Sequence, residues 1–212
     1  MASNANIYIL YIHNITTNMP TNNDASAEVV FEYTGKGCVV PKDVTSVRFH
    51  PSVVEVEDRA FIYCKQLREV MFNVGLKKIW ANAFQECSSL SSITLPSTFA
   101  YMGEYAFYHC SNLKFVEFNE GLQKIRQSAF FGCTSLSSIT LPSTVTEIGI
   151  SVFHDCSILR EVEFQEGLQK IGRYAFWCCA SLSSVTLPST VNEIGQYAFQ
   201  CCSNLREVIL NE

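Results

Sequence analysis

Ten cysteines and four histidines are the residues of this 212-residue chain best suited to binding a metal, exchanging disulfides or acting as nucleophiles. Zinc sites draw their ligands from closely spaced Cys and His pairs. Cys64, Cys87, Cys110, Cys133, Cys156, Cys179 and Cys202 instead stand 23 residues apart, which suits small buried side chains better than a metal site. Equivalent residues of stacked repeats would lie about 4.8 Å apart, within the Cα range of a disulfide, so spacing leaves bridges open too. Cys178 and Cys201 each sit one place before a ladder cysteine; they should point outward and are placed to bridge each other. His13, His50, His109 and His154 have no partner at catalytic or metal-binding spacing, and His109 and His154 read as solvated surface residues. Ser91, Ser92, Ser137, Ser138, Ser183 and Ser184 recur as repeat surface. With no Gly-rich phosphate loop, nucleophile elbow or paired zinc motif, the expectation is a protein that is not an enzyme and takes neither metal nor cofactor.

The elements that would position these residues are set by the same period. Phe61, Phe84, Phe107, Phe130, Phe153, Phe176 and Phe199 recur every 23 residues; alanine precedes each except Phe153, which follows Val152. Leu67, Leu90, Leu113, Leu136, Leu159, Leu182 and Leu205 follow six residues later. Agreement at several offsets is the signature of a solenoid. Within residues 136–158, Ile139 and Leu141 alternate with Ser138 and Thr140, a half-buried strand. Pro142 ends it, because proline cannot donate to a ladder. The Val152, Phe153, Cys156 spacing then suits a turn or two of α- or 3₁₀-helix. One such coil cannot bury its apolar side alone, so coils stack and their strands form a continuous parallel sheet.

The pattern, as in Leu182-Ser183-Ser184-Val185-Thr186-Leu187-Pro188 followed by Ile194-Gly195-Gln196-Tyr197-Ala198-Phe199, resembles the leucine-rich repeats of the BspA-like class found in bacterial and protist surface and interaction proteins. The resemblance implies an α/β fold: a right-handed leucine-rich-repeat solenoid with a parallel sheet on the concave side, short helical or 3₁₀ arcs on the convex side, and a binding role. No asparagine ladder follows the strands, so the ligand rules of other leucine-rich repeats do not carry over.

Three segments follow. Residues 1–27, rich in Asn and Thr, read as a mobile N-terminal segment. Residues 28–43, with alternating Val30, Phe31, Glu32 and Tyr33 and then Gly35-Lys36-Gly37, read as a capping hairpin. Residues 44–212 form the solenoid, seven full coils and a partial eighth whose open face could self-associate. A 46-residue period overlies the first, since hydroxyl units such as Ser91, Ser92 and Thr94 alternate with charged ones such as Arg160, Glu161 and Glu163.

With 48% hydrophobic and 17% charged residues and a formal net charge of −5, the chain is globular in composition, and nucleic acid is an unsuitable partner. Ile7 to Ile12 is too short for a membrane span or a secretory core segment. The chain as it stands reads as cytoplasmic, or as cell-surface if it is a piece of a secreted protein. What remains to bind is the concave sheet, at the strand positions that face away from the core: Arg68, Glu69 and Met71; Lys114, Phe115 and Glu117; Arg160, Glu161 and Glu163. Phe115 and Met71 stand out there, because a solvated face has no need of them. The expected partner is a protein or glycan.

Overall fold

The computed structural model describes residues 29–211; the expectation of mobility for 1–27 lies outside them. The strands are β1 (Val30–Tyr33), β2 (Ser46–Phe49), β3 (Glu55–Val56), β4 (Glu69–Met71), β5 (Lys78–Ile79), β6 (Ser92–Thr94), β7 (Tyr101–Met102) and β8 (Phe115–Glu117). They continue as β9 (Lys124–Ile125), β10 (Ser138–Thr140), β11 (Glu147–Ile148), β12 (Glu161–Glu163), β13 (Lys170–Ile171), β14 (Ser184–Leu187), β15 (Glu193–Ile194) and β16 (Glu207–Leu210). Each coil contributes one longer and one two-residue strand, and all pairings are parallel. Within the repeat array the register advances by one period, as in Ile139 opposite Val162 and Ile148 opposite Ile171. The short strands form one continuous sheet from β3 to β15.

Of the expected capping hairpin over 28–43, the described residues from 29 onward form one strand, β1, and not an antiparallel pair. β1 runs parallel to β2, with Val30 opposite Ser46 and Tyr33 opposite Phe49. Apolar alternation specifies which face is buried but not strand direction, and here the parallel choice lets Tyr33 close the end of the aromatic column, 5.0 Å from Phe61.

The arcs are not helices either. Two residues per coil, two places before and two after the column phenylalanine, have positive φ, as in Arg59 (56°) and Tyr63 (61°). A right-handed helix admits no such residue. The alternation turns backbone N–H groups along the stacking direction: Arg59, Phe61 and Tyr63 donate to the carbonyls of Ala81, Ala83 and Gln85 in the next coil. Bonds three residues apart, such as Cys64 N–H to Phe61 C=O, close the turns. The arc is therefore a third inter-coil ladder. Only one of these positions is glycine, Gly132 (φ 70°), where an added Cβ would come within 2.5 Å of the His109 ring.

The core is a set of columns. Phe61 through Phe176 are fully buried, with ring centroids 4.8 Å apart at the start and 5.7 Å between Phe130 and Phe153. Near-parallel stacking adds about 0.5–1.5 kcal/mol per pair to the gain from burial. Beside it runs the thiol ladder. Each interior Cys Sγ donates to the carbonyl of the phenylalanine one coil back, from Cys87 to Phe61 (3.2 Å) through Cys202 to Phe176 (3.1 Å). These cysteines are thus more than apolar fillers, since each satisfies the one polar hydrogen it brings into the core.

The 46-residue period has a hydrogen-bonded form. The longer strands pair as β1-β2-β4, β6-β8, β10-β12 and β14-β16, with no ladder between β4 and β6, β8 and β10, or β12 and β14. Each seam falls where a strand followed by Phe72, Phe118 or Phe164 meets one leading to Pro96, Pro142 or Pro188. Those rings stand edge-on to the aromatic column, Phe118 at 5.9 Å from Phe130. All three seams are bridged by side chains: Thr98, Thr144 and Thr190 Oγ1 donate to the carbonyls of Leu76, Leu122 and Leu168, and at the last two Glu120 also accepts from Ser143 Oγ (3.0 Å) and Glu166 from Ser189 Oγ (3.2 Å). The backbone N–H of Ser143 holds the Glu120 carboxyl below its usual range. On the short-strand sheet the same period pairs Glu55 with Lys78, Lys124 with Glu147 and Lys170 with Glu193.

Candidate functional site

In a strand whose alternate residues are buried, the others must face outward. On the longer strands this gives two outward columns, and the exposed residue just before each strand adds a third; members in charged coils are two coils, about 10 Å, apart. Arg68, Lys114, Arg160 and Arg206 form a basic column; all are exposed, and none is in an ion pair among the described residues. Beside it runs Glu69, Phe115, Glu161 and Glu207, and beyond that Met71, Glu117, Glu163 and Ile209. Phe115 thus occupies a position that is glutamate in the other three charged coils, and 52% of it is exposed. Met71 is half-buried, opposite Arg48.

The acids of the third column are partly engaged by the hydroxyl rows between the charged ones: Glu117 accepts from Thr94 Oγ1 (3.0 Å) and Glu163 from Thr140 Oγ1 (3.1 Å). Glu69 accepts from buried Ser46 (3.3 Å). The basic column carries no such tie, and among the described acids of the face Glu161 and Glu207 are likewise untied.

Sequence reasoning missed a groove. At the β8/β10 seam lies an open depression of about 470 Å³ lined by Phe115, Glu117, Glu120, Ser138, Thr140 and Gln165 among others. It brings Phe115 and Glu117 together with hydroxyl and amide groups of the next two coils; Arg68, Glu69, Met71, Arg160, Glu161 and Glu163 share the face but lie outside it. The 46-residue period was its signal, because the seam is where one unit type gives way to the other. Arg206 and Glu207, a fourth charged row, also went unrecognised.

The histidines differ from expectation. His154 is not a solvated surface residue: it is 9% exposed, its ring stacks on Phe131 at 4.2 Å and tilts against Trp177 at 4.3 Å. Burial holds its pKa down against the opposing pull of Asp155, whose Oδ2 lies 3.2 Å from Nδ1 without hydrogen-bond geometry. Tyr108, Phe131, His154 and Trp177 share one repeat position, so an aromatic column on the arc was there to be read. Asn73 and Asn119 each reach back to a carbonyl of the preceding coil, at His50 and Leu95; this is an alternate-coil device rather than a continuous ladder.

Among the described residues no three His, Cys, Asp or Glu side chains are placed to hold a metal ion. No helix there is long and apolar enough to cross a membrane. The model of the BspA type leucine rich repeat region matches residues 34–158 and 123–212. The chain belongs to the BspA-type leucine-rich repeat family. Among solved structures, a leucine-rich repeat protein from Eubacterium ventriosum is 26% identical, with a TM-score of 0.72 over 77% of this chain and 45% of that one. The T. pallidum leucine rich repeat protein is 31% identical, with a TM-score of 0.56 over 77% of this chain and 68% of that one. This BspA-type chain therefore spans less than half the length of the first of these relatives. No curated protein matches it in sequence.

Proposed function

We propose that this BspA-type chain is a non-enzymatic interaction module that binds a protein or glycan ligand through the outward face of the longer strands. The observation that carries the reading is Phe115: an exposed ring in a column of glutamates, at the mouth of a groove, with the unpaired basic column alongside. A ring that gains burial only on contact, flanked by charges that set register, is how a binding hot spot is built. The rows Arg68, Glu69, Met71; Lys114, Phe115, Glu117; and Arg160, Glu161, Glu163 would form the ligand surface.

Phe115→Ser and Arg160→Glu should each weaken a partner recovered by pull-down, Phe115→Ser by about tenfold or more in Kd. His109→Ala on the arc should leave binding unchanged. Retained binding in both sheet variants, with loss in the arc variant, overturns the assignment. A second reading, a segment of a larger cell-surface adhesion protein, is favoured by the 45% coverage of the Eubacterium ventriosum chain. Mapping the full-length transcript tests it: an open reading frame extending into further repeats and a surface anchor supports it.

Self-association is proposed through β16, where Val208 and Leu210 are 49% and 70% exposed. A second copy docking there in two-fold fashion would cover them. Light scattering over a concentration series should show a dimer that Val208→Glu dissociates; a strictly monomeric species at high concentration overturns it.

A further inference from the structure

Cys178 and Cys201 occupy the same place in adjacent coils, two residues after Phe176 and Phe199, and both have positive φ (56° and 63°). Backbone ladders join the coils at this point, Cys178 N–H donating to Gln200 C=O at 2.9 Å. Cys201 is exposed and Cys178 partly so, whereas Cys87, Cys110, Cys133, Cys156 and Cys179 are fully enclosed. Both thiols are free, and they are near enough for Cys201 to help raise the Cys178 thiol. The same repeat position holds Tyr63, Glu86, His109, Gly132 and Asp155 in the other coils, so the thiols are paired at one place along the array. No other two cysteines among the described residues combine shared register with access to solvent.

We infer that Cys178 and Cys201 form a reversible disulfide that staples the last two coils together in response to the surrounding thiol–disulfide balance. Equivalent atoms across a ladder lie about 4.8 Å apart, whereas a disulfide holds its Cβ atoms about 3.8 Å apart. Closure therefore draws the coils together by about 1 Å at this point, and a bond formed against such resistance is more reducible than a relaxed structural one. The oxidant is a small-molecule disulfide. Exposed Cys201 attacks it as thiolate, forming a mixed disulfide and releasing one small thiol. Cys178, deprotonated in turn, attacks the Cys201 sulfur and expels the second small thiol. The two protein thiols lose two electrons and two protons, and the small disulfide is reduced to two thiols.

Asp155, in the same column one coil earlier, brakes the second step. The Cys178 thiol is pushed up to about 11, by its partial burial first, then by Cys201 and then by the negative charge of Asp155. Once Cys201 is a mixed disulfide its own contribution is gone, and burial and Asp155 remain to disfavour the Cys178 thiolate, so closure should quicken when the charge is removed.

The test equilibrates the whole chain with mixtures of reduced and oxidised glutathione, quenches with acid, alkylates and maps the peptides. Cleavage after aromatic residues is required, because residues 174–206 contain Lys or Arg only at Arg206. The expected result is a cross-link between Cys178 and Cys201 that grows with the oxidised fraction and disappears when reduced glutathione is restored. Cys201→Ser should abolish it and leave Cys178 at most as a mixed disulfide, while Asp155→Asn should speed closure several-fold. Mixed disulfides at both positions without the cross-link, or a cross-link only between two chains, overturns the pairing. A cross-link that reduced glutathione cannot open overturns its responsive character, and an unchanged rate in Asp155→Asn overturns the brake.

Discussion

Raising the pH above about 9 should unfold this protein in one steep step, with a midpoint near pH 10 under reducing conditions. Cys87, Cys110, Cys133, Cys156 and Cys179 have no exposed surface, and burial pushes each thiol up. In the unfolded chain they ionise near about pH 8.5. A folded value above the unfolded one means that stability is fully present below about pH 8.5 and is lost as the pH rises towards the folded value. Each thiol removes about 1.4 kcal/mol per pH unit in that window. Five acting together exhaust a typical stability of about 5–15 kcal/mol within one to two units. Circular dichroism and thiolate absorbance recorded during a pH titration should change together. The double variant Cys110→Ala and Cys156→Ala should give a shallower pH dependence. A wild-type protein still folded at pH 11 would show that burial does not hold these thiols neutral.

Phe130→Ala should cost about 3–5 kcal/mol. The ring is fully buried between Phe107 at 5.5 Å and Phe153 at 5.7 Å, with Phe118 standing edge-on to it. Its removal leaves a gap that rigid ladders on three sides keep from collapsing. Because coils are coupled only to their neighbours, hydrogen exchange should lose protection first between residues 107 and 153 and later at the ends. Uniform loss along the array would contradict the column as a chain of nearest-neighbour contacts.

The stacking was legible in the sequence because its cause is repetition: Phe, Cys and Leu recur at fixed offsets, and any fold that buries all three columns must superpose them. The arcs were not, because their conformation is set by φ, and the chain places Tyr, Glu, His, Asp and Cys at left-handed positions that glycine would ordinarily mark. Only Gly132 gives that position away. The direction of β1 was hidden for a different reason, since alternation is indifferent to whether a neighbour runs with or against it. The outward rows could be enumerated, as Arg68, Lys114 and Arg160 show, but the groove beside Phe115 could not: it arises from hydrogen bonds not made between β8 and β10. His154 was misread by judging it alone instead of with Tyr108, Phe131 and Trp177.

The seams have a consequence for how such an array can change length. Excising the coil that carries Glu147 would set Lys124 against Lys170 on one sheet and a Phe-ended strand against another of its kind on the other. Excising two coils restores every neighbour: acid to base, Glu to the Ser-Thr turn it bridges, Phe-ended strand to Pro-led strand. Sequence similarity repeats every 23 residues, yet the piece that can be removed or added without leaving a mismatched joint is 46 residues long. Growth and shortening of this solenoid should therefore proceed by even numbers of coils, and an odd count would mark a joint where something other than duplication has intervened.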